Sequence, residues 1–226
     1  MKRRTLDIVF AGGGAVIAIA MLFLGIVLLD QYNWGKEYVK EELASQKIVF
    51  AEADKLTDQE KNWKPGSKCL VENAGKTMET GAQAECYAKY YIGLHLEESA
   101  AKAGFEGETY ATLGGIRTQL AAEVKAAKDK GDTAAADAAQ KKLDSATSLR
   151  TTMQSGETLR GLLLTSYGFS IFGDKAYTVA QISFVLAALL ALLSVAGFVH
   201  AWMAKDEKVF DSKTTAAAPG KPATVS

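Results

Sequence analysis

The chain has 226 residues with 26 basic and 26 acidic side chains, so its formal net charge is zero, and it carries only two cysteines and two histidines. That balance is an average: residues 1–7 and the tail from Lys205 together are +3, whereas the stretch between the apolar segments is −3. A slightly acidic middle without a basic patch argues against nucleic acid as a partner, and no nucleotide loop, Ser-His-Asp set or paired metal ligands emerges to supply a catalytic centre or hold a cofactor.

Residues 1–7 present Lys2, Arg3 and Arg4 against Asp7. Short flanks rich in Lys and Arg stay on the cytoplasmic side, so this segment is expected there. Residues 8–29 follow without a single charge. A helix rises 1.5 Å per residue and crosses a hydrocarbon core of roughly 30 Å in about 20 residues, which predicts a first transmembrane helix over 8–29. A cleaved signal peptide shares the same basic-then-apolar layout. Its apolar region is usually about 7–15 residues, however, and LLDQY at 28–32 offers no small-x-small cleavage site, so an uncleaved anchor is expected. The Gly12-Gly13-Gly14 run lacks a following Gly-Lys-Ser/Thr and cannot cradle a phosphate. Ala11, Ala15, Ala18 and Gly25 instead form a ridge of small residues on which another helix can pack closely in lipid.

Residues 30–176 are expected as a helical extracytoplasmic domain. The first helix should run on through residues 34–46, rich in helix formers with Glu37, Lys40 and Glu41 at pairing distances, while Tyr32 and Trp34 suit the headgroup level. Residues 47–50 are too few to assign. Thr57 and Glu60 have the spacing of a capping box, so a short helix begins there. Trp63 to Ser67 reads as a turn around Pro65, the only proline before Pro219. Scarce proline and abundant alanine argue for a mainly α exterior.

Cys69 and Cys86 both fall in this middle segment. In an oxidising exterior such a pair is usually a disulfide, and closing a loop of this length stabilises by about 3 kcal/mol. A metal or redox pair is the competing reading, without a nearby His-x-x-x-His or CxxC partner to support it. From Thr80 to Ala103 the positions Ala84, Tyr87, Tyr91, Leu94 and Ala101 recur at helical spacing and predict one buried face. Glycines around 104–107 should end that helix. Two Ala-rich arms follow, roughly 110–130 and 133–155, separated by Gly131-Asp132. Leu113, Ile116, Leu120, Val124 and Ala127 on one arm answer Leu143, Ala146, Leu149 and Met153 on the other, which predicts an Ala-rich helical hairpin.

Residues 156–173 break the alanine pattern with a run of large apolar side chains. Leu162, Leu163, Tyr167, Phe169 and Phe172 are candidates for docking another membrane protein, or for packing on the chain's own exterior. A second charge-free run predicts a transmembrane helix over 177–203, where Ser183, Ala187 and Ala191 make a second small-residue ridge. Neither span holds a charge, which argues against a transporter or proton relay. Residues 204–226 are expected as a disordered cytoplasmic tail. The fold class is therefore mainly α, two transmembrane helices flanking a helical extracytoplasmic domain, in a two-pass plasma-membrane protein with both termini inside.

Residues 84–95 (AECYAKYYIGLH) and 156–170 (GETLRGLLLTSYGFS), together with this layout, resemble an uncharacterised family of actinobacterial two-pass membrane proteins over residues 1 to about 203. Members often carry an automatic label as aromatic ring-opening dioxygenases. A non-haem iron site of that kind needs two His and a carboxylate on one metal. The two histidines here, His95 and His200, are expected on opposite sides of the membrane, so one chain cannot build it. His95 with Glu97 and Glu98 reads more simply as a solvated or core-edge cluster.

Three functions remain in view. The leading expectation is a non-enzymatic accessory or scaffold component of a membrane or envelope assembly, with the lipid bilayer and a membrane protein or a second copy as partners. The alternative is an extracytoplasmic sensor or ligand-binding module that signals through a partner, because the short ends leave no room for an output domain. An enzyme acting on envelope lipid or glycan would need Asp or Glu pairs converging in a cleft.

Overall fold

The computed structural model describes residues 2–204. It is mainly helical, 83%, and no strand occurs among the described residues, so helix packing alone builds it. The helices are α1 (Arg3–Ser45), α2 (Asp58–Asn62), α3 (Lys68–Glu72), α4 (Gly81–Cys86), α5 (Gly93–Lys102), α6 (Tyr110–Asp129) and α7 (Thr133–Met203), with a short 3-10 turn at Pro65–Ser67 and a π segment at Tyr87–Ile92. Both α1 and α7 are long and apolar enough to cross a membrane. The chain divides into two units, Met1–Leu29 with Tyr177–Ser226, and Asp30–Ala176.

In the first unit the two apolar helices lie antiparallel. Asp7 pairs with His200 at 3.0 Å, Ala11 lies against Gly197, Gly14 against Ser194, and Gly25 against Phe184. The approach is close because the facing residues are small. A Cβ built on Gly14 would stand 2.6 Å from the Ser194 hydroxyl, and one on Gly25 2.6 Å from the Phe184 ring. Ala11, Ala18, Gly25, Ala180, Ser183, Ala187 and Ser194 are buried along this seam. Ala15 is half-buried, and Ala191 faces outward. The inward face of α7 passes from Ala187 to Ser194, a step of two helical turns, and so skips position 191. Most large apolar side chains of both helices point away from the seam, among them Phe10, Phe23, Leu192 and Leu193.

The second unit holds the main core, with Leu70, Met78, Ala84, Ala88, Leu113 and Ala146 all at or below 1% exposure. Each large apolar side chain buried there contributes about 1.5–3 kcal/mol. After α1 the chain turns at Lys47, which takes a positive φ of 54°. Residues 47–50, left unassigned from sequence, make a short antiparallel contact with residues 75–78 through Val49 and Thr77. The Thr57 hydroxyl accepts from the Glu60 amide and the Glu60 carboxylate accepts from the Thr57 amide, the reciprocal capping box that starts α2. Cys69 on α3 and Cys86 at the end of α4 stand at disulfide distance, with Cα atoms 6.1 Å apart.

The helix from Thr80 to Lys102 corrects the sequence expectation in one respect. Ala84 and Leu94 are buried as expected, together with Ala88, Ile92, Leu96 and Ala100, whereas Tyr87 and Tyr91 are half-buried and Ala101 is exposed. The π segment carries an extra residue per turn, so the apolar register slips by one position across it. Two glycines then close helices in the left-handed region. Gly104, at φ 79°, follows α5, and the amide of Phe105 donates to Ala100 O at 2.8 Å. Gly131, at φ 72°, follows α6, and Asp132 N donates to Ala127 O at 3.1 Å. Both are Schellman closures, which need a residue without a Cβ penalty. Asp132 then opens α7, its carboxylate accepting from the Ala135 amide at 2.9 Å.

Leu113, Leu120 and Val124 on α6, and Ala136, Ala139, Ala146, Leu149 and Met153 on α7, are buried. Arg117 Nε donates to Thr147 Oγ1 at 2.9 Å, and the Arg150 guanidinium lies 3.9 Å from the Tyr110 ring centre. Residues 156–173 do not interrupt α7, although four of them are glycine. A helical glycine costs about 1 kcal/mol, which close packing offsets at Gly156. A Cβ on Gly156 would meet Leu96 at 2.6 Å, so the bare backbone lets α7 settle on α5. The expected disordered tail, 204–226, lies outside the described residues apart from Ala204.

Candidate functional site

The most polar part of the second unit's interior is centred on Glu60. Its side chain is only 8% exposed and its carboxylate has three partners: the Thr57 amide at 2.6 Å, the Thr57 hydroxyl at 2.9 Å, and His95 Nε2 at 3.1 Å. Burial alone pushes this carboxyl up, but the Thr57 amide, the Thr57 hydroxyl and His95 outweigh it and hold the group below its ordinary value. His95 also faces Glu98 through Nδ1 at 3.5 Å and meets the edge of the Tyr91 ring at 4.4 Å. The carboxylates thus stand at opposite ring nitrogens and cannot converge on one ion. The neighbouring Ser99 hydroxyl donates to the His95 carbonyl at 2.7 Å, which leaves it no role as a nucleophile activated by that imidazole. What the row does is tie α2 to α5.

Because the folded Glu60 carboxyl lies below its ordinary value of 4.5, its contribution is fully present above that value and is lost as pH falls through the lower folded one. Glu60→Gln is expected to lower stability at pH 7 and to flatten the loss between about pH 5 and pH 3. Thermal melts of the two proteins across that range check it, and parallel curves for wild type and variant would contradict it.

Along the π segment an aromatic ladder continues from His95. Tyr91 stacks on Tyr87 at 4.6 Å, and Tyr87 meets Phe50 edge-on at 5.4 Å. Burial, with Tyr91 beside it, pushes the Tyr87 hydroxyl up to about 12, so it stays a neutral packing group. The Ala88 carbonyl accepts both the Gly93 amide, closing the π turn, and Arg160 Nε at 3.1 Å. Arg160 Nη1 in turn holds Glu157 at 2.7 Å. On the other side Lys89 pairs with Glu85 at 2.5 Å, which raises the Lys89 ammonium above its ordinary value. Glu85 likewise pushes the Tyr167 hydroxyl up.

A cavity of about 780 Å³ opens beside α5, bounded by Trp63 and Lys64, the loop carrying Glu106 and Glu108, and Met153 and Arg160 of α7. A smaller one of about 300 Å³ separates the Tyr32–Lys40 stretch of α1 from Phe169 to Asp174 of α7. Among the described residues no group of three His, Cys, Asp or Glu side chains is arranged to hold a metal. His95 takes Glu60 and Glu98 as partners and His200 takes Asp7.

The docking candidates separate. Leu162, Phe169 and Phe172 are 63%, 67% and 75% exposed, Tyr167 is half-buried, and Leu163 belongs to the core at 3%. Leu162, Phe169 and Phe172 share one side of α7 at about 100° per residue, with Leu163 turned away from it. Sequence reasoning missed the Glu60–His95 contact, the Arg160 bond to Ala88, Ser194 in the span seam, and the whole cavity wall. The first two join residues far apart in the chain and leave no local signal; the shift from Ala191 to Ser194 was within reach of a stricter helical count. Compared with protein-family models, with curated proteins and with solved structures, the chain shows no match to any of the three.

Proposed function

We propose that this is a non-enzymatic, two-pass accessory or scaffold protein of the plasma membrane, with residues 1–7 and 204–226 in the cytoplasm, spans at 8–29 and 177–203, and residues 30–176 outside. The observation that carries the role is the exposed apolar side of α7 formed by Leu162, Phe169 and Phe172, on an unbroken helix that also supplies a membrane-length apolar stretch. Exposed apolar patches of this kind mark protein or membrane contacts. The cysteine pair at disulfide distance supports an oxidising exterior, and the basic start supports the orientation. The Ala-rich hairpin of α6 and the first part of α7 then belongs to the exterior domain. Kinship with the actinobacterial two-pass family fits the same layout.

Cross-linking in native membranes followed by mass spectrometry tests the role. Cross-links from the 159–172 region to a membrane protein, or to a second copy, are expected, and the triple variant Leu162→Ser, Phe169→Ser, Phe172→Ser should lose them while keeping its unfolding free energy within about 1 kcal/mol, because exposed side chains contribute little to folding. Only uncross-linked monomer from wild type would overturn the proposal. Labelling by an impermeant thiol reagent after reduction tests the orientation, and protected cysteines would reverse it.

The cavity beside α5 favours a second reading, an extracytoplasmic ligand-binding module. Its volume lies within the range of small-molecule sites, roughly 300–1,000 Å³, and its wall mixes apolar, aromatic and charged side chains.

A further inference from the structure

We propose that the cavity beside α5 binds an alkylammonium ligand, a linear amine whose charges are separated by methylenes; this rests on the ligand-binding reading. The first support is a seat for an ammonium group already occupied by the chain's own lysine. Lys64 Nζ lies 3.6 Å from the centre of the Trp63 ring and 3.7 Å from Glu97 Oε1, so an aromatic face and a carboxylate bracket one cation. Trp63 is held there by Gly93 of α5, where a Cβ would come within 3.3 Å of the ring.

The charge left over in the wall is the second support. Each basic group of the wall is already neutralised by a carboxylate, Lys64 by Glu97, Arg160 by Glu157 and Lys89 by Glu85. Glu106 and Glu108 line the same cavity and have no ion pair among the described residues. An anion entering the cavity would find no uncommitted cation, whereas an amine would meet two free carboxylates. Leu96 and Met153 add an apolar side to the wall, 6% and 4% exposed, against which methylenes can lie.

Spermidine serves as the probe, titrated into the full chain in lipid nanodiscs. Trp34→Phe and Trp202→Phe are made in the background so that Trp63 is the only indole. A saturable change in Trp63 emission is expected. Glu106→Gln with Glu108→Gln should weaken the midpoint about tenfold through lost Coulomb attraction. Lys64→Met should tighten it about threefold by vacating the ring face, an effect that a lysine of purely structural role would not produce. Absence of saturation by spermidine, or a midpoint that both variants leave unchanged, overturns the proposal. A parallel titration with citrate separates the two levels: saturation by citrate without spermidine removes the amine and keeps the ligand-binding module, and silence from both removes both.

Discussion

Replacing Cys69 and Cys86 together by alanine is expected to lower the stability of residues 30–176 by about 3 kcal/mol, the loop-closure contribution for a loop of this length. The two cysteines are 17 positions apart and their link spans α3, the 75–78 contact and α4. That stretch has little regular structure to hold it otherwise, since α3 has five residues and α4 six. Helices so short do not persist without tertiary support. The measurement is the urea midpoint of the full chain in detergent, followed by proteolysis of residues 47–80, with wild type in reductant as a second arm. Reduced wild type and the double variant should agree, and an unchanged midpoint in both would show that the pair does not restrain the unfolded chain.

Leu113→Ala is expected to cost about 2–5 kcal/mol. Leu113 has no exposed surface and belongs to the same core as Ala100, Ala146, Leu149 and Met153, so the substitution leaves a void in that core. Leu162→Ala on α7 removes the same number of carbons from a side chain 63% exposed and should stay within about 0.5 kcal/mol. Urea melts of the two variants side by side check the contrast. Equal losses would mean that α6 does not pack on the core at Leu113.

The amino-acid pattern disclosed elements governed by neighbours along the chain. The capping box at Thr57 and Glu60 and the helix closures by Gly104 and Gly131 depend on residues within one or two helical turns of each other, and the two long apolar stretches on unbroken runs of sequence. Tertiary contacts set the rest. Residues 156–173 leave the alanine pattern, yet α7 runs through them, with Gly156 fitted against Leu96 and Leu163 in the core. The docking group split for the same reason: Leu162 and Leu163 are neighbours in sequence but sit about 100° apart on a helix, and only the partner surface decides which is covered. The cavity wall left no local signal, and nothing in the sequence announced that Lys64 would lie over the Trp63 indole.

The wide turn at Tyr87–Ile92 also makes the length of its helix adjustable. A π turn is an α-helix lengthened by one residue, so deleting a residue inside it restores ordinary winding and leaves both flanks facing where they did. The same deletion a few positions later, within Gly93–Lys102, would swing Leu96 and Ala100 by about 100° away from the interior. Shortening inside the wide turn forfeits little more than the Ala88 carbonyl that Arg160 now holds. Between the anchored sulfur of Cys86 and the imidazole of His95, the chain thus keeps one point of slack where loss of a residue leaves the flanking faces in place.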